Sequence, residues 1–483
     1  MKRFLTVLLL FSISGSPRAQ QTAARSLVLN HVTVITPGVS PPASDMAIVI
    51  AGNRIATVDR ADRVAIPAGA QVVDGRGKFV IPGLADMHNH LGTGAPTPVL
   101  ADLKPNLQRL LAWGVTSVFS MSVDSASFAE LKRTSSADQA PYPRFYGVGH
   151  GFATLGGFRP NTPAEARQVV RRQKSENVDA IKIAYDDMSW ATKQSIPVLK
   201  QEVMAAIIEE SHAQGLKAYV HAPILKYAKE ALQAGADGLV HGIISEPVDA
   251  EFLQLMRKNR AVYISTLTLF EACADIRAWP RRLMEFDPRG AMKPLWTVWA
   301  DPAASRQFEA FYSNTGYVRQ RIQTVRDNLK QVAQAGVPIV VGTDTGFPGV
   351  VLGASSLMEI KLHVDAGLSP LDAIQAATIN AARMVGREKD LGEIEAGRPT
   401  SSCLTRIHSR IYPTFAVSGK SLKAAVSMSS RRPDGDQGFL STARSGDDDE
   451  GCPGHIEQSD AGDHHCRLVV FHDAGNVASV LQT

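Results

Sequence analysis

The chain has 483 residues, 44% hydrophobic and 20% charged, with 38 glycines and 27 prolines scattered along it. This composition excludes collagen-like, coiled-coil and wholly disordered chains, and the length admits two or three domains or one large α/β barrel with an accessory domain. Lys and Arg number 51 against 47 Asp and Glu, a formal +4 that is small for this length, and no basic run marks a nucleic-acid face.

Residues 1–20 read as a secretory signal. Lys2 and Arg3 precede the apolar run Phe4 to Ile13, which Ser14, Gly15, Ser16 and Pro17 break before it is long enough to span a bilayer. Cleavage falls near Ala19, and the expected destination is the periplasm or the exterior; an uncleaved anchor or a buried helix is the competing reading. After signal removal no membrane partner is expected. Residues 26–82 alternate apolar and polar positions between Gly, Asn and Asp turns, as in SLVLNHVTVI, and predict a small β-sandwich accessory domain.

From Gly83 to about residue 390 the texture changes. Short apolar runs alternate with helix-length amphipathic stretches, the mark of repeated βα units. The runs are GLADMH (83–88), GVTSVFSM (114–121), RFYGVGH (144–150), AIKIAY (180–185), KAYVH (217–221), GLVH (238–241), AVYIST (261–266) and PIVVGTD (338–344). Eight of them predict a (β/α)8 TIM barrel, in which chemistry gathers at the C-terminal strand ends.

Those ends carry metal-ligand chemistry. Strand one ends in His88 and His90, spaced to grip one ion; strand four carries Lys182, strands five and six end in His221 and His241, and strand eight in Asp344. A lone buried histidine is more often a satisfied core residue than a ligand, but six such residues at the chemical edge of one barrel are hard to assign to structure alone. Two cations held there would deprotonate a bridging water at neutral pH and polarise a scissile carbonyl.

PGLADMHNHL, DAIKIAYDD, LKAYVHA, GADGLVHG and VPIVVGTDTG resemble the strand signatures of the amidohydrolase superfamily, most closely its imidazolonepropionase-like and prolidase-like members. The resemblance covers most of residues 26–399. It implies two divalent ions, Zn2+ the first choice, with Lys182 carboxylated on its amine as the bridge. His88, His90 and Asp344 would hold the first ion, His221 and His241 the second, and Asp344 would shuttle the proton of the attacking water. It implies a small-molecule or dipeptide substrate, such as an Xaa-Pro dipeptide or an N-acyl amino acid, and leaves room for a homo-oligomer. Lactone or phosphotriester hydrolysis on the same centre, and an inactive metal-binding homologue, are the alternatives.

His150 ends strand three and is a second catalytic candidate, either steadying the substrate carbonyl or serving as a loop histidine. Tyr185 and Asp187 follow Lys182 and either touch substrate or turn the chain, turning being the favoured reading; His31, His212 and His363 fall in structural positions. The long connection from Leu267 to Tyr317 holds Trp279, Trp296 and Trp299, and predicts a lid, a pocket wall or a packed insertion.

After GEIEAGRP (392–399) the expected closing strand is missing, and residues 400–483 form an aberrant tail. Reading the codons one base early from Pro399, with permitted codon choices, turns Ser401, Ser402, Cys403 and Leu404 into LVLL and puts a stop across Ser429 and Ser430. A frameshifted tail is therefore expected, a lineage-specific disordered one being the alternative. On either account Cys452, His455, His464, His465 and Cys466 only mimic a zinc site, and the C-terminal strands of the accessory domain are expected to be lost.

Overall fold

The computed structural model describes residues 26–37, 42–91, 103–135, 142–154, 157–284, 312–347, 349–399 and 469–471, with positions 306 and 310. Its N-terminal part folds into β1 (Leu27–Val34), β2 (Ala43–Ala51), β3 (Arg54–Arg60), β4 (Gln71–Asp74) and β5 (Phe79–Ile81). β1 is the hub, antiparallel to β2 and parallel to both β4 and β5. Leu27 and Leu29 enter the core, and then Val32 and Val34 do, a change of parity that plain alternation would forbid. A bulge resolves it: the register with β2 shifts between Leu29 and Val32, and His31 takes a φ of 60°. His31 Nδ1 lies 2.7 Å from Asp45 Oδ1, a structural role as expected.

The barrel strands are β6 (Leu84–Asn89), β7 (Val115–Ser120), β8 (Arg144–Gly147), β9 (Ala180–Ala184), β10 (Lys217–His221), β11 (Gly238–Val240), β12 (Val262–Ile264) and β13 (Ile339–Val340). β6 to β8 and β9 to β13 form two parallel ladders. Backbone bonds sew both seams: Phe152 N donates to Lys182 O at 2.8 Å, and Met87 N to Val341 O at 2.9 Å. The eight strands thus close in the order read from the sequence. Ala85, Met87, Phe119, Val148, Tyr219, Ile264 and Val340 fill the interior, with Ala381 and Met384 packed against them, so the barrel is a packed core and not a pore.

Helices form where caps and apolar spacing agree. In helix Pro163–Ser175, Thr162 accepts from Glu165 N, Pro163 opens the first turn, and Ala166, Val170 and Gln173 are buried. Gln173 Nε2 then donates to Val148 O and His150 O at 3.0 and 2.5 Å, fixing the loop after strand three. In the long insertion, helices Leu267–Ala274 and Trp279–Met284 pack inward, and Trp279 Nε1 donates to Gly349 O at 2.7 Å. Trp279 is thus part of a packed insertion, while Trp296 and Trp299 lie outside the described residues.

Two expectations for the accessory domain change. Among the described residues its strands make one mixed sheet, where alternation suggested a sandwich, because β1 serves both β4 and β5 with its two halves. The C-terminal edge is also not bare: β14 (Val469–Phe471), from the tail, pairs antiparallel with β5. The signal segment 1–20 and the rest of the tail, with its cysteines and histidines, lie outside the described residues. Among the described residues no helix is long and apolar enough to cross a membrane.

Candidate metal centre

Strands one and eight meet over buried polar atoms. Asp86, two residues before His88, accepts from His88 N (3.3 Å), Thr343 N (3.1 Å), Thr343 Oγ1 (2.7 Å), Ser356 Oγ (3.0 Å) and Asn89 Nδ2 (3.3 Å). It ties both strands to helix Ala354–Asp365. Burial pushes the Asp86 carboxyl up to about 6 against the pull of these donors. Gly342 and Gly346 allow the close approach: a Cβ there would stand 2.6 Å from His88 Cβ and 2.7 Å from His90 Cβ.

Three donors converge. His88 Nε2 and His90 Nε2 lie 2.8 and 2.9 Å from Asp344 Oδ1 and 3.1 Å from each other. Asp344 Oδ1 has no aligned hydrogen bond, and His88 Nδ1 is buried without a partner. Donors that grip one ion at about 2.0–2.1 Å stand roughly 3 Å apart, so this trio fits a divalent cation. Ligating atoms of His88, His241 and Asp344 all lie within 4.8 Å of one another.

The second group faces the first. The His241 ring sits 4.8 Å from that of His88 and 4.3 Å from that of His221. His241 Nδ1 is 2.8 Å from Thr266 Oγ1, and His221 Nε2 is 3.0 Å from Asp186 Oδ2. Lys182 is 2% exposed on β9. Both His241 and Asp344 hold left-handed backbone, φ 76° and 64°, a strain that clusters at functional sites.

Charge states suit ligation. Burial, followed by the charge of Lys182, lowers His88 to about 3, and burial with the charge of His221 holds His241 well below its usual value. Burial works against ionising Asp344, yet the neighbouring imidazoles keep its carboxyl well below the normal carboxylate range. Burial brings the Lys182 ammonium down to about 7, with Asp344 opposing. At neutral pH His88 and His241 are unprotonated and the Asp344 carboxylate is ionised, as metal ligands must be.

All six residues read as ligands thus line one rim. His150 does not join them in any contact described: its ring packs edge-on against Phe158 at 5.8 Å. Tyr185 donates to Glu230 Oε2 at 2.6 Å, and Asp187 caps Ser189 N at 3.0 Å, both structural as expected. His212 pairs with Asp237, and His363 with Ser265. Asp86, Asp186, Thr266 and Glu359 were not singled out from the sequence. Asp86 carried the one usable signal, its i−2 spacing to His88.

The chain belongs to the amidohydrolase family, whose profile matches residues 79–423 and so runs past Pro399. Imidazolonepropionase of Anaeromyxobacter dehalogenans is 26% identical over 406 residues, 77% of this chain and 87% of that protein. Ochratoxinase of Aspergillus niger is 26% identical over 243 residues, 48% of this chain and 42% of that protein, so the match spans less than half of that relative. A solved structure assigned as a prolidase from Bifidobacterium longum superposes with a TM-score of 0.60 at 27% identity, covering 78% of this chain and 88% of that one.

Proposed function

We propose that this protein is an exported, binuclear metal-dependent hydrolase that cleaves an amide or peptide-like C–N bond in a dipeptide, Xaa-Pro or N-acyl amino-acid substrate. The convergence of His88, His90 and Asp344 within 3.1 Å, with His241 facing them, carries the reading. His88, His90 and Asp344 would hold one ion and His221 and His241 the other. Lys182 suits the bridge: with its ammonium lowered to about 7, much of it is free amine at neutral pH, the form that adds carbon dioxide. Two divalent ions, Zn2+ the first choice, would acidify the attacking water and polarise the scissile carbonyl. Asp344, kept ionised, is placed to accept a proton from an attacking water and would return it to the leaving nitrogen. His150, at the end of the third strand, is proposed to steady the substrate carbonyl. The run Phe4–Ile13 behind Lys2 and Arg3 supports export, which N-terminal sequencing of the secreted protein checks.

The test is metal content with turnover. Two ions per chain and hydrolysis within a panel of dipeptides and N-acyl amino acids are expected. Two ions with turnover confined to lactones or phosphotriesters would overturn the C–N assignment.

A further inference from the structure

The two histidines proposed for the second ion each have one ring nitrogen already occupied. His221 Nε2 meets Asp186 Oδ2 at 3.0 Å, and the same oxygen accepts from Trp190 Nε1 at 2.8 Å. Asp186 is 4% exposed, and its other oxygen, Oδ1, is buried without a partner. The carboxylate is thus aimed by Trp190 and available to the imidazole. His241 Nδ1 meets Thr266 Oγ1 at 2.8 Å, and Thr266 is fully buried.

One packed unit supplies both outer partners. Trp190 packs at a tilt against Phe270 with ring centroids 5.2 Å apart, and Phe270 belongs to helix Leu267–Ala274, which starts directly after Thr266. That helix start is pinned by Glu359, which accepts from Leu267 N at 2.8 Å, Thr268 N at 2.7 Å and Ser265 Oγ at 2.9 Å. Thr266 therefore has little freedom to follow a moving imidazole. The φ of 46° at Thr266 is held by the same anchors.

From this geometry we infer that Asp186 and Thr266 are positioning residues of the second ion site, which fix His221 to offer Nδ1 and His241 to offer Nε2. The inference rests on the binuclear reading above. An acceptor on the outer nitrogen holds the ring proton there, leaves the lone pair on the inner nitrogen, and stops the ring from flipping. The two sites then differ in kind, since His88 Nδ1 has no such partner.

The experiment uses the full chain loaded with zinc and labelled with 15N-histidine. Long-range 1H–15N spectra are expected to show the proton of His221 on Nε2 and that of His241 on Nδ1; the opposite tautomer at either ring would overturn the assignment for that residue. Zinc titration in metal-buffered solution is expected to show the second ion weakened about 10- to 100-fold in Asp186→Ala and Thr266→Val, with the first unchanged. Asp186→Asn and Thr266→Ser, which keep an acceptor, should recover part of the affinity. Wild type binding two ions while both truncated variants bind the second with wild-type affinity would overturn the proposal and leave the binuclear reading intact. Wild type binding fewer than two ions would instead overturn that reading.

Discussion

On the strand-one and strand-eight side of the centre, the main chain does the positioning. Asp86 clamps His88 N and Thr343, Asp344 N donates to His88 O at 2.8 Å, and His90 N donates to Thr345 O at 2.6 Å. On the strand-five and strand-six side, the ring nitrogens themselves are held, by Asp186 and Thr266. The first arrangement fixes where a ligand sits, and the second fixes which way it faces. An ion site can be preorganised by either route, and the routes fail differently when cut.

Cutting the shared donors should have the largest effect. Asp344→Asn removes the charge at the convergence point and the proton carrier, and turnover should fall about 10³-fold or more, with the first ion lost; full activity would refute the assignment. Lys182→Ala joins neither half, so metal and activity should both fall, with partial rescue by short carboxylic acids, read by adding acetate or propionate to the assay.

A cut behind the first half tests the main-chain route. Asp86→Ala strands the buried donors of His88, Asn89, Thr343 and Ser356, and should cost about 2–4 kcal/mol of stability by urea unfolding, with weakened binding of the first ion. Loss of the second ion alone would reverse the contrast between the halves.

An effect of comparable size, spread over several pH units, concerns the metal-free protein. The folded chain keeps His88 neutral down to about pH 3, whereas the unfolded chain protonates near 6.5. The unfolded state therefore binds more protons between those values, and stability is lost as pH falls from about 6.5 toward 3, by up to about 1.4 kcal/mol per unit. His88→Gln should flatten the unfolding free energy against pH across that window; an unchanged slope would mean that His88 titrates normally. Smallest of all, restoring the reading frame after Pro399 should raise the melting temperature by a few degrees, about 1 kcal/mol. Equal melting would count against a frameshift.

The barrel was legible because its strands are short apolar runs, and all eight runs returned as strands. The candidate ligands could be picked out because they stand at or near the ends of those runs. Asp186 and Thr266 were not, since a residue that acts on a ring nitrogen across the barrel leaves no local spacing. Asp186 sits beside Asp187, and nothing in the sequence tells the buried acid from the turn-capping one. The single sheet escaped alternation because a bulge at His31 changes which neighbours β1 serves along its length.

The left-handed backbone at His241 and Asp344 bears on how this protein can be engineered. Glycine relaxes such positions, so a screen for thermal tolerance alone would favour His241→Gly or Asp344→Gly and enrich sturdier chains that have lost the centre. Selection in the presence of a chelator would enrich the same variants, whereas selection for metal retention would discard them.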